Sequence, residues 1–369
     1  MEKLLFATGG IRLAAMDKRL GACQRTVKRL SLMLGILTVT LTCAAARQPI
    51  LVELSSYGFP HGKIDIPEGV FWISAERVAL YFDHGEVVDS PSQDSHRRLH
   101  HFLVLIVSKD GRVLSQQTLD GFPKALDIMP GPDGGLIVGR AGSLSFYDAD
   151  LQLKRSITLS PQVTAISFDR RWNQLLIATV DKTSRSQSIS LLNGDTLENT
   201  GHFTVPERGV MVSGHRELAF NVGGYCETST SIFSSERSWD ALRGLPICGM
   251  VAFVGDDALA YVSDKHLYVT NHLGKQLFRQ SVPAPDGVSL PFFSGISDDN
   301  SRIAIKAWKS RLFGKGALSD YEEVFVYDLL SHKRLLSRAI PGGAASALSP
   351  DGKQLATIED SVLVLSSVP

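Results

Sequence analysis

The feature that most constrains the fold of this chain is a polar turn that leads into a short apolar strand and recurs from residue 74 to the C-terminus. The clearest copies are 349–356, which reads SPDGKQLA, and 297–304, which reads SDDNSRIA. The first apolar residues of the seven copies are Val78, Leu136, Leu175, Leu218, Leu259, Ile303 and Leu355. Their separations run from 39 to 58 residues with a mean of about 46, the length of a four-stranded repeat.

A second turn follows the first within most of these units. It lies at 108–112, 147–150, 192–195, 271–275 and 327–330. Asp-Gly and Asp-Asp pairs suit such turns, because these residues tolerate positive φ or hydrogen-bond to their own backbone. Each unit is therefore predicted to contain four strands and two tight turns.

With this repeat and the motif at 349–356, the chain resembles the WD40-like and YVTN-like β-propeller superfamily over residues 50–369. The resemblance implies an all-β ring of four-stranded blades. We expect seven blades, with six as the alternative because the first and fourth units are poorly patterned. The motif at 349–356 is specific for architecture and weak for function. The Trp-Asp pair typical of WD40 blades occurs only as Trp239-Asp240, so the chain departs from the usual WD40 sequence pattern.

The two ends of the mature chain predict how the ring closes. The last unit contains strands at 345–348, 354–358 and 361–368 and then stops, whereas a lone apolar strand lies at 49–54. We expect the N-terminal strand to supply the fourth strand of the last blade. That pairing would remove an exposed sheet edge.

Residues 1–46 have the pattern of a secretory signal peptide. Basic residues Arg25, Lys28 and Arg29 precede a 13-residue apolar run at 30–42, and small residues follow it. The run is shorter than the roughly 20 residues of a membrane-spanning helix. We predict cleavage after Ala46, which leaves a single propeller domain at 47–369 in the periplasm or outside the cell.

Three alternatives at the N-terminus stay open. Met16 is an alternative start, the apolar run could serve as an uncleaved anchor, and Cys43 could be lipidated although Thr40-Leu41-Thr42 fits a lipobox poorly. No later segment is apolar for long enough to span a membrane. We therefore expect a soluble, monomeric mature protein.

Composition and missing motifs narrow the function classes. The 38 Lys and Arg residues balance 38 Asp and Glu residues, so no charge excess drives nucleic-acid binding. Four cysteines are too few for a disulfide scaffold. Nucleophile elbows, Walker loops, dinucleotide fingerprints and His-Glu-x-x-His are all absent from the sequence. These absences do not exclude catalysis, but they favour a protein that is not an enzyme.

The first long insertion, at 83–101, contains four of the ten histidines. The candidate binding residues here are His96, Arg97, Arg98, His100 and His101. His96 and His100 would share one side of a helix and suit a divalent metal, but no Cys or regular acidic ligand completes a site. Binding of an anionic partner through the two arginines, or an unpartnered polar loop, are the alternatives.

The second insertion, at 306–320, interleaves cations with aromatic residues. The candidate binding residues are Trp308, Lys309, Arg311, Phe313 and Lys315. Such loops bind anionic sugars, phosphates or membrane surfaces, or are ordinary strand ends with a Gly-rich tip. Insertions on a repeat fold tend to lie on its binding face, so both segments are expected to flank the mouth of the central channel.

Cys226 and Cys248 remain after removal of the signal segment. An even pair in an exported protein predicts a disulfide, and two buried free thiols are the alternative. Turn residues Asp133, Asp169, Asp256 and Asp351 are interpreted as local backbone caps.

The sequence therefore predicts an exported binding or scaffolding propeller with a protein or glycan partner and no cofactor. The alternative is a metal-dependent lactonase or hydrolase with a divalent metal at the channel mouth. Acidic or His side chains that converge on the channel axis would favour the enzyme. An apolar or basic and aromatic lining would favour the binding module.

Overall fold

The structure is a computed structural model of the chain. It describes residues 48–59, 68–83, 86–88, 97–122, 127–140, 142–160, 162–181, 183, 186–206, 210–222, 229–234, 237–242, 248–263, 265–283, 292–309, 312–313, 317–318, 321–342 and 344–369. The signal-peptide prediction for residues 1–46 lies outside the described residues. No helix in the described ranges is long and apolar enough to cross a membrane.

The described residues form short strands grouped into small antiparallel sheets. The chain opens with β1 (Ile50–Glu53). The first sheet contains β2 (Glu68–Ser74), β3 (Arg77–Asp83), β4 (Glu86–Val88), β5 (Arg97–Ser108) and β6 (Val113–Phe122). The second contains β7 (Asp127–Pro130), β8 (Leu136–Arg140), β9 (Ser143–Tyr147) and β10 (Leu153–Thr158). The third contains β11 (Val163–Asp169), β12 (Gln174–Asp181), β13 (Ser186–Asn193) and β14 (Asn199–Pro206).

The second half of the chain continues the series. The fourth sheet contains β15 (Val210–Gly214), β16 (Glu217–Val222) and β17 (Ser229–Ser234). The fifth contains β18 (Cys248–Val254), β19 (Ala258–Ser263), β20 (His266–Asn271) and β21 (Gln276–Ser281). The sixth contains β22 (Phe292–Ile296), β23 (Arg302–Lys309), β26 (Tyr321–Asp328) and β27 (Lys333–Pro341), with the hairpin β24 (Leu312–Phe313) and β25 (Ala317–Leu318) between its middle strands. The last three strands are β28 (Ser346–Leu348), β29 (Gln354–Glu359) and β30 (Val362–Ser367).

The sheets are arranged as the blades of a propeller, which confirms the predicted fold class. The first strand of one sheet lies beside the first strand of the next: β7 contacts β2 and β11, β18 contacts β15 and β22, and β28 contacts β22 and β2. Six sheets have at least four strands, and the fourth has three among the described residues. The count is six complete blades, and seven when the three-stranded sheet is included.

The predicted closure of the ring is confirmed. β1 pairs antiparallel with β30, with Ile50 opposite Leu365 and Val52 opposite Leu363, and gives the sheet order β1-β30-β29-β28. The backbone N–H of Leu54 donates to Ser361 at 2.8 Å, and its side chain is fully buried. The first described strand, β1, therefore completes the last blade and shares one sheet with the C-terminal strands.

The repeated turn has the same internal hydrogen bonds in the sixth and seventh sheets. In the seventh, the Ser349 hydroxyl donates to Asp351 at 2.7 Å, and Gly352 adopts φ 68°. In the sixth, Ser297 donates to Asp299 at 2.6 Å, and Asn300 adopts φ 56°. Gly and Asn tolerate the left-handed conformation that the turn requires, which explains why these residue types recur there.

The strand that follows each turn supplies the core. The seven apolar residues that mark the repeat are each the first or second residue of the second strand of a sheet, and each is at most 1% exposed: Val78, Leu136, Leu175, Leu218, Leu259, Ile303 and Leu355. Burial of a side chain of this size contributes about 1.5–3 kcal/mol. The residues that mark the repeat in the sequence are therefore core residues at equivalent positions in each sheet.

Turns between first and second strands, and between third and fourth strands, lie at one edge of the ring, which we call the turn edge. Backbone contacts place these turns together, since Asp298 donates to Pro350 at 2.7 Å and the Gln354 side chain donates to Lys109 at 3.3 Å. Connections between second and third strands lie at the opposite edge, which we call the insertion edge. Both long insertions, 83–101 and 306–320, occupy that position, as predicted.

Candidate functional site

The residues predicted for binding in the first insertion lie at the start of β5. Arg97 and Arg98 pair with β4, and His100 pairs with Phe122 of β6. His96 and the side chains of the other three lie outside the described residues, whereas the His101 side chain is described and half-buried. Because His100 lies in a strand, the helical spacing considered for His96 and His100 does not apply.

The second insertion places its candidates in and around a small hairpin. Trp308 and Lys309 end β23 opposite Glu322 and Tyr321, and Phe313 pairs with Ala317 in the hairpin of β24 and β25. Arg311 and Lys315, and the side chains of the other three, lie outside the described residues. The structure thus fixes the edge that these residues occupy, and their role in binding stays a prediction.

The proposed disulfide also stays a prediction, since Cys226 lies outside the described residues. Cys248 is the first residue of β18 and pairs with Val262. If the bridge forms, intact-mass analysis of the purified protein will give a mass two hydrogens below that of the reduced protein. Titration of two free thiols after denaturation would contradict it.

A cavity of about 260 Å³ lies in the central channel, between the first strands of six sheets. Each of these strands contributes lining residues, of which one per strand is Trp72, Pro130, Phe168, Ala252, Ile296 and Leu348. Most of these residues lie near the ends of their strands that lead into the turn edge. The cavity therefore lies in the half of the channel closer to the turn edge.

The walls of the cavity are largely aromatic and aliphatic. Phe71, Phe168 and Phe293 line it and are half-buried, while Trp72 is 4% exposed. The indole N–H of Trp72 donates to the Ala347 carbonyl at 3.1 Å and joins the first sheet to the seventh. These rings are therefore held by packing and hydrogen bonding around an apolar space.

Two arginines form the polar end of the cavity. Arg170 and Arg171 belong to the 3-10 turn Arg170–Trp172, which lies between β11 and β12. The Asp169 carboxylate caps this turn by accepting from the Arg171 backbone N–H at 2.9 Å, and Asn173 ends it with φ 47°. The turn therefore presents two adjacent cations to the channel.

Arg170 reaches from the third sheet to the sixth. Its Nη2 donates to the Asp298 carboxylate at 2.7 Å. Burial lowers the pKa of Arg170 although Asp298 and Asp169 oppose this effect. Burial also raises the pKa of Asp298, although both arginines favour its ionised form. Both charges of this pair are thus partly removed from water.

Arg171 is held by its neighbours on several sides. Its guanidinium donates to both oxygens of Asp169, at 3.2 and 2.8 Å, and to the Phe253 carbonyl at 2.7 Å. It also stacks over the ring of Trp172 at 4.2 Å. Arg171 therefore joins the third sheet to the fifth.

The cap interpretation of the turn aspartates is confirmed for Asp169 and for Asp351, which accepts from the Lys353 N–H at 3.0 Å. Asp256 instead accepts from the indole N–H of Trp172 in another sheet at 3.2 Å. The sequence marks the segment at 168–175 as a copy of the repeat, and the signal that sets it apart is a pair of adjacent arginines at aligned positions where the other copies have no arginine.

The described residues contain no group of three or more His, Cys, Asp or Glu side chains arranged to hold a metal ion. The carboxylates nearest the cavity, Asp169 and Asp298, accept hydrogen bonds from arginines. Among the described residues, the lining of this cavity is thus apolar and basic, and its one lining carboxylate, Asp169, is in an ion pair with Arg171.

No family model and no curated protein matches this chain. Solved structures of propeller proteins do match. Raptor from Chaetomium thermophilum aligns with a TM-score of 0.51 and 13% identity over 88% of this chain and 29% of that chain. The acylaminoacyl peptidase of Pyrococcus horikoshii aligns with a TM-score of 0.50 and 9% identity over 84% of this chain and 50% of that chain.

The β-propeller domain of the Trilobed protease from Pyrococcus furiosus aligns with a TM-score of 0.47 and 12% identity, over 82% of this chain and 91% of that chain. At such identities the likeness shows the fold alone. One fold of this kind supports many unrelated activities, so function has to be argued from the site.

Proposed function

We propose that this protein is an exported binding or scaffolding module that engages a protein or glycan partner through its insertion edge. The observation that carries the proposal is that both long insertions connect the second and third strands of their sheets. They therefore emerge at the same edge of the ring although position 306, where the second begins, lies 205 residues beyond position 101, where the first ends. Loops held by a rigid scaffold are where binding residues concentrate.

The composition of the two insertions supports a partner with anionic groups. Arg97 and Arg98 lie in the first insertion, and Lys309, Arg311 and Lys315 lie in the second beside Trp308 and Phe313. Guanidinium groups bind carboxylates and phosphates through paired hydrogen bonds, and aromatic rings pack on sugars and apolar side chains. The signal segment at 1–46 supports action in the periplasm or outside the cell.

The alternative is a metal-dependent hydrolase or lactonase at the channel mouth. Free carboxylates are the ligands such a site needs, whereas Asp169 and Asp298 are bound by arginines. A stoichiometric divalent ion that the purified protein retains after dialysis would favour this alternative over the binding module.

The test compares two variants that each remove three positive charges. The first replaces Lys309, Arg311 and Lys315 with Gln at the insertion edge. The matched control replaces Lys275, Lys333 and Lys353 with Gln, which are exposed at the turn edge. Immobilised wild-type and variant proteins are used to capture partners from the extracellular or periplasmic fraction of the source organism.

We expect a partner that binds the wild type and the turn-edge control and is lost from the insertion-edge variant. Protease and glycosidase treatment of the fraction then distinguishes a protein from a glycan. Equal capture by all three proteins would place binding elsewhere and contradict the proposal.

A further inference from the structure

Arg170 has hydrogen-bonding capacity that the described protein does not use. A guanidinium has five N–H donors, and within the described residues the only hydrogen bond of the Arg170 side chain is that from Nη2 to Asp298. Its side chain is 24% exposed and lines the channel cavity. Arg171 differs, because it is 13% exposed and its donors engage Asp169 and the Phe253 carbonyl. Arg170 is therefore the cation of this cavity that retains donors for a ligand.

The rest of the cavity is apolar. Phe71, Phe168 and Phe293 surround it, together with Ile296 and Leu348. The Ser294 hydroxyl, which also lines it, is engaged with the Ser346 hydroxyl at 2.7 Å. An apolar pocket with a few convergent polar groups is the usual form of a small-molecule site.

We propose that this channel cavity binds a small monocarboxylate with an aromatic or branched aliphatic body, whose carboxylate accepts hydrogen bonds from Arg170. The aromatic walls enclose the body of the ligand. This inference does not rest on the proposed function of the insertion edge, since the residues of the cavity and of the insertions are different.

The chemistry of the cavity selects this class of ligand. Asp298 and Asp169 balance the formal charges of Arg170 and Arg171, so the selection rests on the hydrogen-bond donors that Arg170 does not use. A ligand carboxylate can accept two parallel hydrogen bonds from these donors. A neutral polar ligand would accept weaker hydrogen bonds, and a cationic ligand would offer no acceptor.

The size of the cavity sets the upper limit on the ligand. Its volume of about 260 Å³ is at the lower end of small-molecule pockets. A ring or branched chain with one carboxylate fits this space, whereas a polysaccharide or a folded partner does not.

The experiment uses the purified protein with benzoate, phenylacetate and 4-methylpentanoate as probes. Their neutral counterparts are the corresponding amides. Saturation-transfer NMR detects binding, and titration calorimetry measures affinity at millimolar probe concentration. Three variants are compared with the wild type: Arg170→Gln, Ala252→Leu, which fills the cavity, and Arg279→Gln, whose guanidinium lies over Tyr268 in the fifth sheet.

We expect at least one carboxylate to bind the wild type saturably. The corresponding amide should have an affinity at least about tenfold lower. Arg170→Gln and Ala252→Leu should each lose about tenfold or more in affinity, and Arg279→Gln should retain it. A variant in the insertions should also retain it, which separates this result from the test of the proposed function.

Four results would overturn the assignment. These are no saturable binding of any carboxylate, equal binding of the amide, unchanged binding to a folded Arg170→Gln variant, and an equal loss in Arg279→Gln. If Arg170→Gln does not fold, as its melting temperature will show, the amide comparison and Ala252→Leu carry the test alone.

Discussion

The fourth and seventh sheets occupy equivalent positions in the ring but are held together differently. The seventh sheet has four strands, of which β1 comes from the other end of the chain. The side chains of Val52 in β1 and of Leu54, which follows β1 directly, are buried in one apolar cluster with Leu363 and Leu365 of β30. Backbone pairing and apolar packing thus close this sheet.

The fourth sheet has three strands among the described residues and depends on a buried polar group. One oxygen of Glu217 accepts from the Ser234 hydroxyl at 2.9 Å, the Trp239 indole at 3.0 Å and Arg237 Nε at 3.1 Å. The Glu217 side chain is 1% exposed. The network fixes the segment after β17, where a regular blade would place its outer strand.

This difference shows that a repeat position can be completed in two ways. A strand supplies many interchangeable backbone bonds, so single polar changes on it should matter little. In the fourth sheet several hydrogen bonds depend on one buried carboxylate, so replacing it should lower the free energy of unfolding much more.

The largest effect is expected from removal of β1. A chain that begins at Ser55 lacks the whole strand, loses the burial of Val52 and Leu54, and exposes the edge of β30. We expect a loss of at least about 5 kcal/mol, because each buried aliphatic side chain removed costs about 1–5 kcal/mol. The measurement is the melting temperature, with a chain that begins at Gln48 as the control. Equal melting temperatures would contradict closure by β1.

Glu217→Gln should destabilise the fourth sheet by about 3 kcal/mol, because it leaves the largely buried Arg237 without its anion. The matched control in the seventh sheet is Glu53→Gln, whose exposed carboxylate should change stability by less than about 0.5 kcal/mol. Urea denaturation measures both. Similar losses at the two positions would remove the contrast between the sheets.

For leucines in and directly after β1, burial should decide how much a substitution lowers the free energy of unfolding. Leu54 is 0% exposed and Leu51 is 65% exposed. Leu54→Ala should therefore cost about 2 kcal/mol or more, and Leu51→Ala about 0.5 kcal/mol or less. The free energy of unfolding of the two variants is compared with that of the wild type. A larger loss in Leu51→Ala would show that the strand is packed differently.

The smallest expected effect is on the stability of the fold at low pH. Burial alone would raise the pKa of Asp299 in the sixth-sheet turn, but hydrogen bonds from Ser297 and Ser301 outweigh it and lower the pKa. A lowered pKa stabilises the fold above the ordinary value of about 3.9, and this contribution is lost as the pH falls through the lowered value.

Asp299→Asn should therefore be less stable than the wild type at pH 7, and the difference should shrink below about pH 4. The fourth-sheet turn, Gly214-His215-Arg216, has no such carboxylate. Melting temperatures at pH 7 and below about pH 4 measure the effect. Asp110→Asn, on an exposed turn, is the control. A difference that stays constant with pH would contradict a stabilising role of the ionised group.

Much of the fold could be predicted because its information is local. The Ser, Asp and Gly of 349–352 hydrogen-bond within four residues of one another, so the residue types alone indicate the turn. The apolar residue that follows each turn is buried because it belongs to a continuous apolar run of strand length, and such strands are buried on both faces, as in β19 and β29. The weakest prediction concerned the fourth unit, since the group that completes it is a single buried Glu217 with no periodic signal.

The turns, the strands that follow them and the pairing of β1 with β30 could be predicted, since each depends on short runs of residues with a shared pattern. The residues that face the channel could not, because they are brought together by tertiary packing. Arg170 meets Asp298 across 128 residues of sequence, and Trp172 meets Asp256 in another sheet. Such contacts depend on how the sheets are placed around the ring, because no local preference of either residue specifies a partner so distant along the chain.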